Sequence, residues 1–359
     1  METILVISAE TFSGKSAVCI TLGQRMRRDG FRVGYMKPLC LRVRRAEGTA
    51  YDEDTAFVRQ IFDMKEPMEQ ICPVMLTPRL LEGLFKKEER PDYVERVREA
   101  FQVVSQGKDL VLLEGPNDWS EGTIVGLPAP RVAELFAARI LMVSSFHSLM
   151  EVDNILAVRD AMAGREFLGV ILNTVPRSRL DLTHQLVRPF LEERGIPVLA
   201  VLPQDPVLCA VSVSELAEYL DAEILCCPDH GDDLVETMMV GAMSVDSALS
   251  YFRRQANKAV ITGGDRVDIQ LAALETSTTC LILSGNLRPN PLIVTRAEEQ
   301  CVPILLVAGD TMSTVRRAEE LFGRARFRQA SKIERFESLL EAHFDFARFY
   351  QALGLEKKV

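Results

Sequence analysis

Short apolar runs separated by amphipathic stretches recur from one end of this chain to the other, and that alternation limits its fold more than any other feature. A strand buried on both faces of a parallel sheet reads as a nearly continuous apolar segment, and each parallel pair needs a crossover, usually helical. Runs at Thr3–Ser8, Arg32–Met36, Leu110–Glu114, Arg139–Val143, Phe167–Leu172 and Pro197–Val201 supply enough strands for a doubly wound sheet in the first half. Beyond the turn at Pro203 to Pro206, Val211-Ser212-Val213-Ser214 carries a helix-start signal. A second series follows, with Ala222–Cys227, Ala259–Thr262, Cys280–Ser284 and Pro303–Val307 as strands. From Ser331 onward Ile333, Phe336, Leu339, Leu340, Phe344, Phe349 and Leu353 recur at helical spacing, which fits a terminal helix on a core or a dimer-forming helix. The expected fold class is α/β: a parallel sheet flanked by helices over 1–212, a second, smaller α/β domain over 213–325 and a helical tail over 326–359. The length of 359 residues suits two hydrophobic cores.

A formal net charge of −9, with Lys and Arg scattered, argues against a nucleic-acid or anionic-membrane surface. Small molecules and other proteins are the expected partners. No apolar run reaches the roughly 18 residues of a membrane span, and the start lacks a basic segment, so the expected location is the cytoplasm. Eight cysteines show no Cys-x-x-Cys spacing and are expected to be free thiols packed in strands and helices.

Function enters at the end of the first strand. Thr3–Ser8 runs into Ala9-Glu10-Thr11-Phe12-Ser13-Gly14-Lys15-Ser16, and a helix is expected through Ala17–Arg28. A turn from strand into helix aims backbone N–H groups and the positive helix end at phosphate. Lys15 then reaches the terminal phosphates and the Ser16 hydroxyl ligates Mg²⁺. The expected cradle is Glu10, Thr11, Phe12, Ser13, Gly14, Lys15, Ser16 and Ala17. The usual first glycine is replaced by Ala9, or by Ser8 if the loop is one residue longer. Mg²⁺ prefers hard oxygen ligands. Glu114, ending the strand Leu110–Glu114, stands where such sheets bind ligands. Asp52-Glu53-Asp54, before a helix over Thr55–Phe62, offers a second acid, read either as a metal ligand or as a helix cap.

Taken in order, the glycine-poor loop over residues 8–16, Tyr35-Met36-Lys37-Pro38, Asp54, Glu114-Gly115 with Trp119, and Gly169-Val170-Ile171-Leu172-Asn173 resemble dethiobiotin synthetase. They equally resemble the ATP-binding domain that precedes phosphotransacetylase in some enzymes. The resemblance covers residues 1 to about 210 and implies ATP and Mg²⁺ as cofactors. It implies Ser16, Asp54 and Glu114 at the metal, Lys15 and Lys37 as the catalytic lysines near phosphate or substrate, and Asn173 at the adenine edge. An Asn can both donate and accept, as adenine N6 and N7 require, and can equally cap a turn before Pro176. The chain departs from the ligase at Pro116-Asn117-Asp118 and at Leu39-Cys40-Leu41, where the ligase carries small residues and a serine. ATP binding is therefore better supported than a biotin-pathway substrate.

Lys258 to Leu274, with Thr262-Gly263-Gly264-Asp265-Arg266 at its centre, is similar to the hallmark of the DRTGG domain, over about Ser214 to Leu321. A two-glycine turn allowing positive φ before a helix gives Gly263, Gly264, Asp265 and Arg266 as a second ligand site or an interface, against a purely structural turn. Thr295-Arg296 and Gly309-Asp310-Thr311 are expected to line the same cleft. Such domains are associated with regulation, nucleotide sensing and pairing of protomers. The sequence ends at Val359 without the phosphotransacetylase catalytic domain that usually follows. Together these readings favour a regulatory, nucleotide-sensing homodimer with a metabolic enzyme as partner. The alternative is a slow ATPase or an ATP-dependent ligase acting on a small carboxylate or amine.

Overall fold

The computed structural model describes residues 1–41, 44–46, 49–86, 91–322, 327 and 329–357, without side-chain burial for 44–46, 49 and 50. Contacts divide the chain into two compact units, Met1–Gln204 with Phe327–Val359, and Asp205–Arg326. The expected boundary at 325–326 lies outside the described residues.

The first unit is built on six strands: β1 (Glu2–Ile7), β2 (Val33–Met36), β3 (Leu110–Glu114), β4 (Arg139–Ser145), β5 (Phe167–Val175) and β6 (Val198–Pro203). Their order is β6-β5-β4-β1-β3-β2 and every pairing is parallel. Ile4 to Ile7 and Leu110 to Leu113 are fully buried, as strands covered on both faces require. With β1 central, the chain crosses first to β2 and later to β4 on its other side, so the carboxyl ends of β1 and its neighbours open onto a topological switch point. Helix α1 (Lys15–Arg28) leaves β1 through the loop, and α2 (Glu53–Ile61) carries Asp52 at its N-cap.

Residues after Ser331 form two helices rather than one, Ala330–His343 and Phe346–Leu353. Asp345 breaks the run: its carboxylate accepts from the Arg348 amide, starting the second helix, and its own amide donates to the Leu199 carbonyl of β6. The apolar stripe seen in the sequence is buried in this unit. Phe336, Leu340 and Phe349 are at most 2% exposed, and ion pairs join Glu337 and Glu341 to Arg28 and Arg25 of α1.

The second unit holds β7 (Glu223–Cys226), β8 (Thr237–Val240), β9 (Lys258–Gly263), β10 (Thr278–Ser284) and β11 (Ile304–Leu306), in the order β7-β11-β10-β9-β8. Only the edge pair β7/β11 is antiparallel among these. Strand β8, with Met238 and Met239 in an otherwise weak run, was not foreseen from sequence. One cysteine expectation is overturned: Cys40 and Cys72 are joined as a disulfide, with Cα atoms 6.5 Å apart. The cause is a short parallel pairing of Leu39–Cys40 with Val74–Met75, which no Cys spacing announces. Among the described residues no helix is long and apolar enough to cross a membrane.

Candidate functional site

Five strand ends converge at one edge of the first sheet. The loop after β1 is tightened by two residues in the left-handed region, Phe12 at φ 58° and Gly14 at φ 97°. Gly14 is needed twice over: any Cβ there would lie 2.5 Å from the Asn173 amide nitrogen, besides adopting a backbone shape that L-residues avoid. Helix α1 starts at the next residue without a side-chain cap, so its first N–H groups stay directed at the loop.

Lys15 is only 7% exposed. Its ammonium donates to Ser8 Oγ at 2.5 Å and lies 3.4 Å from the carbonyl oxygens of Glu10 and Asn117. Burial pulls its pKa down to about 8, with Glu114 opposing the fall. Ser8, one of the two positions that could take the place of the usual glycine, supplies a buried hydroxyl 2.7 and 3.0 Å from the Glu10 and Asn117 carbonyls. This hydroxyl ties the loop to the segment after β3, a role the sequence reading did not find.

Glu114 is the hub. Its Oε1 accepts from Ser16 Oγ and its Oε2 from Tyr35 Oη, both at 2.8 Å. Tyr35 and Lys37 alternate along one strand direction and so share a face, a periodicity that was available in the sequence. Lys37 Nζ lies 3.2 Å from Asp52 Oδ1 and 3.6 Å from Glu114 Oε1. Burial alone would depress Lys37, yet Glu114, Asp52 and Asp54 together hold its pKa above the ordinary lysine value. Asp52 is both helix cap and ion-pair partner: its Oδ1 also accepts the Thr55 amide and hydroxyl, each at 2.8 Å. Of the two readings of that cluster, the helix cap is what Asp52 forms here, with an ion pair to Lys37 added.

Of the expected metal ligands, Ser16 and Glu114 are brought together. Asp54 lies in the first turn of α2, near enough to act on Lys37. Hard oxygens of this kind suit Mg²⁺, so the donor set fits the ion, although among the described residues no group of three His, Cys, Asp or Glu stands ready to hold a metal. Glu10 turns away from the cradle and accepts the Ser145 amide at the end of β4 at 2.6 Å, and burial raises its pKa against that bond. Asn173 is buried. Its Nδ2 donates to the Ser13 carbonyl at 2.8 Å and its Oδ1 accepts the Thr174 amide, so both ends of the amide brace the loop and the strand end.

The second expected site is arranged differently. Gly263 and Gly264 do not adopt positive φ. A Cβ on Gly264 would stand 1.8 Å from the Leu287 carbonyl oxygen, so this glycine is required for close approach and the sequence-based reason is corrected. Arg266 pairs with Asp268 at 3.0 Å and donates to the Met243 carbonyl at 3.1 Å. Gln270 holds the carbonyls of Gly263 and Gly264. Gly309-Asp310-Thr311 does reach this end, with Thr311 Oγ1 2.7 Å from Ser284 Oγ. Arg296 does not. It sits six residues into the helix Pro291–Glu299, roughly 9 Å down its axis at 1.5 Å per residue. There it lines a groove of about 990 Å³ at the opposite ends of the strands, with Asn257, Ser277 and Cys301.

These two units are those of known families. Residues 2–212 match the AAA domain, more than half of the chain, and the chain belongs to that family of P-loop proteins; residues 215–321 match the DRTGG domain. Among individual proteins, the chain is 22% identical to phosphate acetyltransferase of Pseudomonas putida, an alignment covering 100% of this chain and 53% of that protein. The phosphate acetyltransferase of Nitratidesulfovibrio vulgaris is 23% identical over 96% of this chain and 50% of its own length. The chain thus spans about half the length of these relatives. ATP-dependent dethiobiotin synthetase of Methanococcus vannielii is 25% identical over 60% of this chain and 83% of its own length.

Proposed function

We propose that the first unit binds ATP with Mg²⁺, and that the protein is a nucleotide-sensing regulator, acting as a homodimer on a metabolic enzyme. The observation that carries the ATP reading is the convergence of Lys15, Ser16 and Glu114 at the carboxyl ends of β1 and β3, with Ser16 Oγ 2.8 Å from Glu114. Ser16 and Glu114 would hold the ion, with Asp54 nearby, and the bound ion would neutralise phosphate charge. Lys15 would exchange its bonds to Ser8 and the loop carbonyls for phosphate oxygens, and Asn173 would meet the base from the wall it now braces. That exchange gives nucleotide a differential grip on two loop arrangements, which sensing requires. The name of one relative, an ATP-dependent synthetase, supports nucleotide chemistry of this kind.

A second reading, an ATP-dependent ligase for a small carboxylate or amine, draws on Lys37, which is held between two acids as a substrate-side lysine would need to be. Steady-state turnover with candidate carboxylates separates the two: strong stimulation favours the ligase, whereas a nucleotide-dependent change in sedimentation without turnover favours the sensor.

The ATP reading is tested by titration calorimetry on Lys15→Ala. Affinity is expected to fall about ten- to a hundredfold, because a hydrogen bond to a charged group contributes about 1.5–3 kcal/mol. The melting temperature should hold, since a buried ammonium with a lowered pKa adds little to the fold. Unchanged ATP affinity removes the role.

A further inference from the structure

We propose that Lys37 is a built-in counter-ion lying between Asp52 and Glu114, where a divalent cation would approach both, so that the site takes its metal only together with nucleotide. The inference rests on the nucleotide reading above and adds a condition on how the metal enters.

Both carboxylates are fixed before Lys37 is considered. Glu114 is 3% exposed, with one oxygen held by the Tyr35 hydroxyl and the other by Ser16. Asp52 is 1% exposed and is anchored by the amide and hydroxyl of Thr55. These donors are neutral, so they orient the acids without cancelling their charge; Lys15, on the loop side, acts on Glu114 alone of the two. Lys37 Nζ reaches both oxygens of Asp52, at 3.2 and 3.4 Å, and lies 3.6 Å from Glu114 Oε1. Two buried carboxylates without a cation are costly, and a buried ion pair stripped of one member leaves an uncompensated charge.

The ammonium therefore competes with a divalent ion for the same oxygens. It does so from a covalent tether, at an effective concentration that free Mg²⁺ does not match. A polyphosphate changes the balance. The flexible lysine stem lets the ammonium swing from carboxylate to phosphate oxygen, and the acids are released as the nucleotide brings its own ion. Tyr35 matters here as a positioning residue, because it keeps Glu114 from following Lys37.

The test uses Mn²⁺ as probe, followed by loss of its free-ion paramagnetic signal beyond the loss that ATP alone causes, on the full chain. Wild type should take up Mn²⁺ weakly alone and strongly with ATP. Lys37→Met should bind Mn²⁺ without nucleotide about tenfold tighter than wild type or more, because the freed acids gain a cation, while Lys37→Arg should behave as wild type. If Lys37→Met is poorly folded, its melting temperature should rise on adding Mn²⁺ where that of wild type does not. Equal Mn²⁺ affinity for wild type and Lys37→Met overturns the proposal, as does wild type binding Mn²⁺ equally well with and without ATP, or an Mn²⁺-induced melting shift common to both proteins. Failure of wild type to bind ATP in calorimetry would instead remove the nucleotide reading, leaving the comparison of the two proteins in Mn²⁺ alone to decide on Lys37.

Discussion

Each unit presents a turn at the carboxyl end of a parallel strand, leading into a helix, and each turn contains a glycine that no other residue could replace. The difference lies in where the charges find their partners. In the first unit Ser16, Lys37, Asp52 and Glu114 come from separate elements and meet in a cluster around two buried carboxylates. In the second, Arg266 pairs with Asp268 two residues away, both more than a third exposed. Assembling buried charges from several elements is expensive unless they do something together, whereas a local exposed pair is an ordinary way to finish a turn. The contrast teaches that a strand-turn-helix pattern alone does not mark a site; convergence of buried ionisable groups upon it does.

The largest effect that would break this contrast is at its hub. Glu114→Ala leaves Tyr35, Ser16 and Lys37 without their shared acceptor, and stability of the first unit should fall by about 3–5 kcal/mol, the usual consequence of removing one member of a buried pair. Urea denaturation measures it, and a loss below about 1 kcal/mol, the range of a surface pair, would make the cluster no different from the Arg266 pair. Next comes Gly264→Ala. With the Leu287 carbonyl 1.8 Å from the added methyl, backbone must move, and the second unit should lose about 2 kcal/mol or more, as strained overpacking does. A neutral result would mean that the turn yields freely.

How much of this could be read from residues alone follows the same division. Strands in the buried sheets were legible because apolar runs report burial directly, and Leu110–Glu114 was found to the residue. The ends of β4 and β5 were not: Ser144 and Ser145 look like loop, yet stay paired with Leu172 and Asn173 in the sheet. The loop and Glu114 were legible as types of residue. Tyr35 as a donor to Glu114 was not, because it depends on register between strands far apart in sequence, and neither was Ser8 as the lid on Lys15 or Lys37 between two acids, because the path of a loop and the placing of a helix cap decide them. The Cys40–Cys72 pairing escaped for the same reason, resting on a two-residue ribbon with no periodicity of its own.

A smaller effect concerns a buried lysine outside the proposed site. Lys258, fully buried in the second unit, donates to the carbonyls of Gln255 and Ser277 at 3.1 and 2.8 Å, and burial pulls its pKa down to about 8. The unfolded chain, with an ordinary lysine near 10.4, binds more protons between those values, so the contribution of this group to stability rises as pH climbs from about 8 to 10.4 and is flat below. Denaturation midpoints of wild type minus Lys258→Met, measured across that window, should carry this slope. A flat difference would mean that water reaches the ammonium.

Smallest of all should be Arg266→Ala. Its guanidinium is bound to an exposed carboxylate and one carbonyl, so the second unit should lose less than about 1 kcal/mol, as exposed pairs do. ATP affinity of the first unit should stay where it was. The informative readouts are association and anion binding, measured by sedimentation and by calorimetry with a nucleotide. If either weakens markedly while the melting temperature holds, Arg266 faces a partner or a ligand beyond Asp268, and the turn joins the first unit's loop as a site. If neither moves, the local pair accounts for the residue, and the proposed nucleotide response is to be sought at the cluster around Glu114.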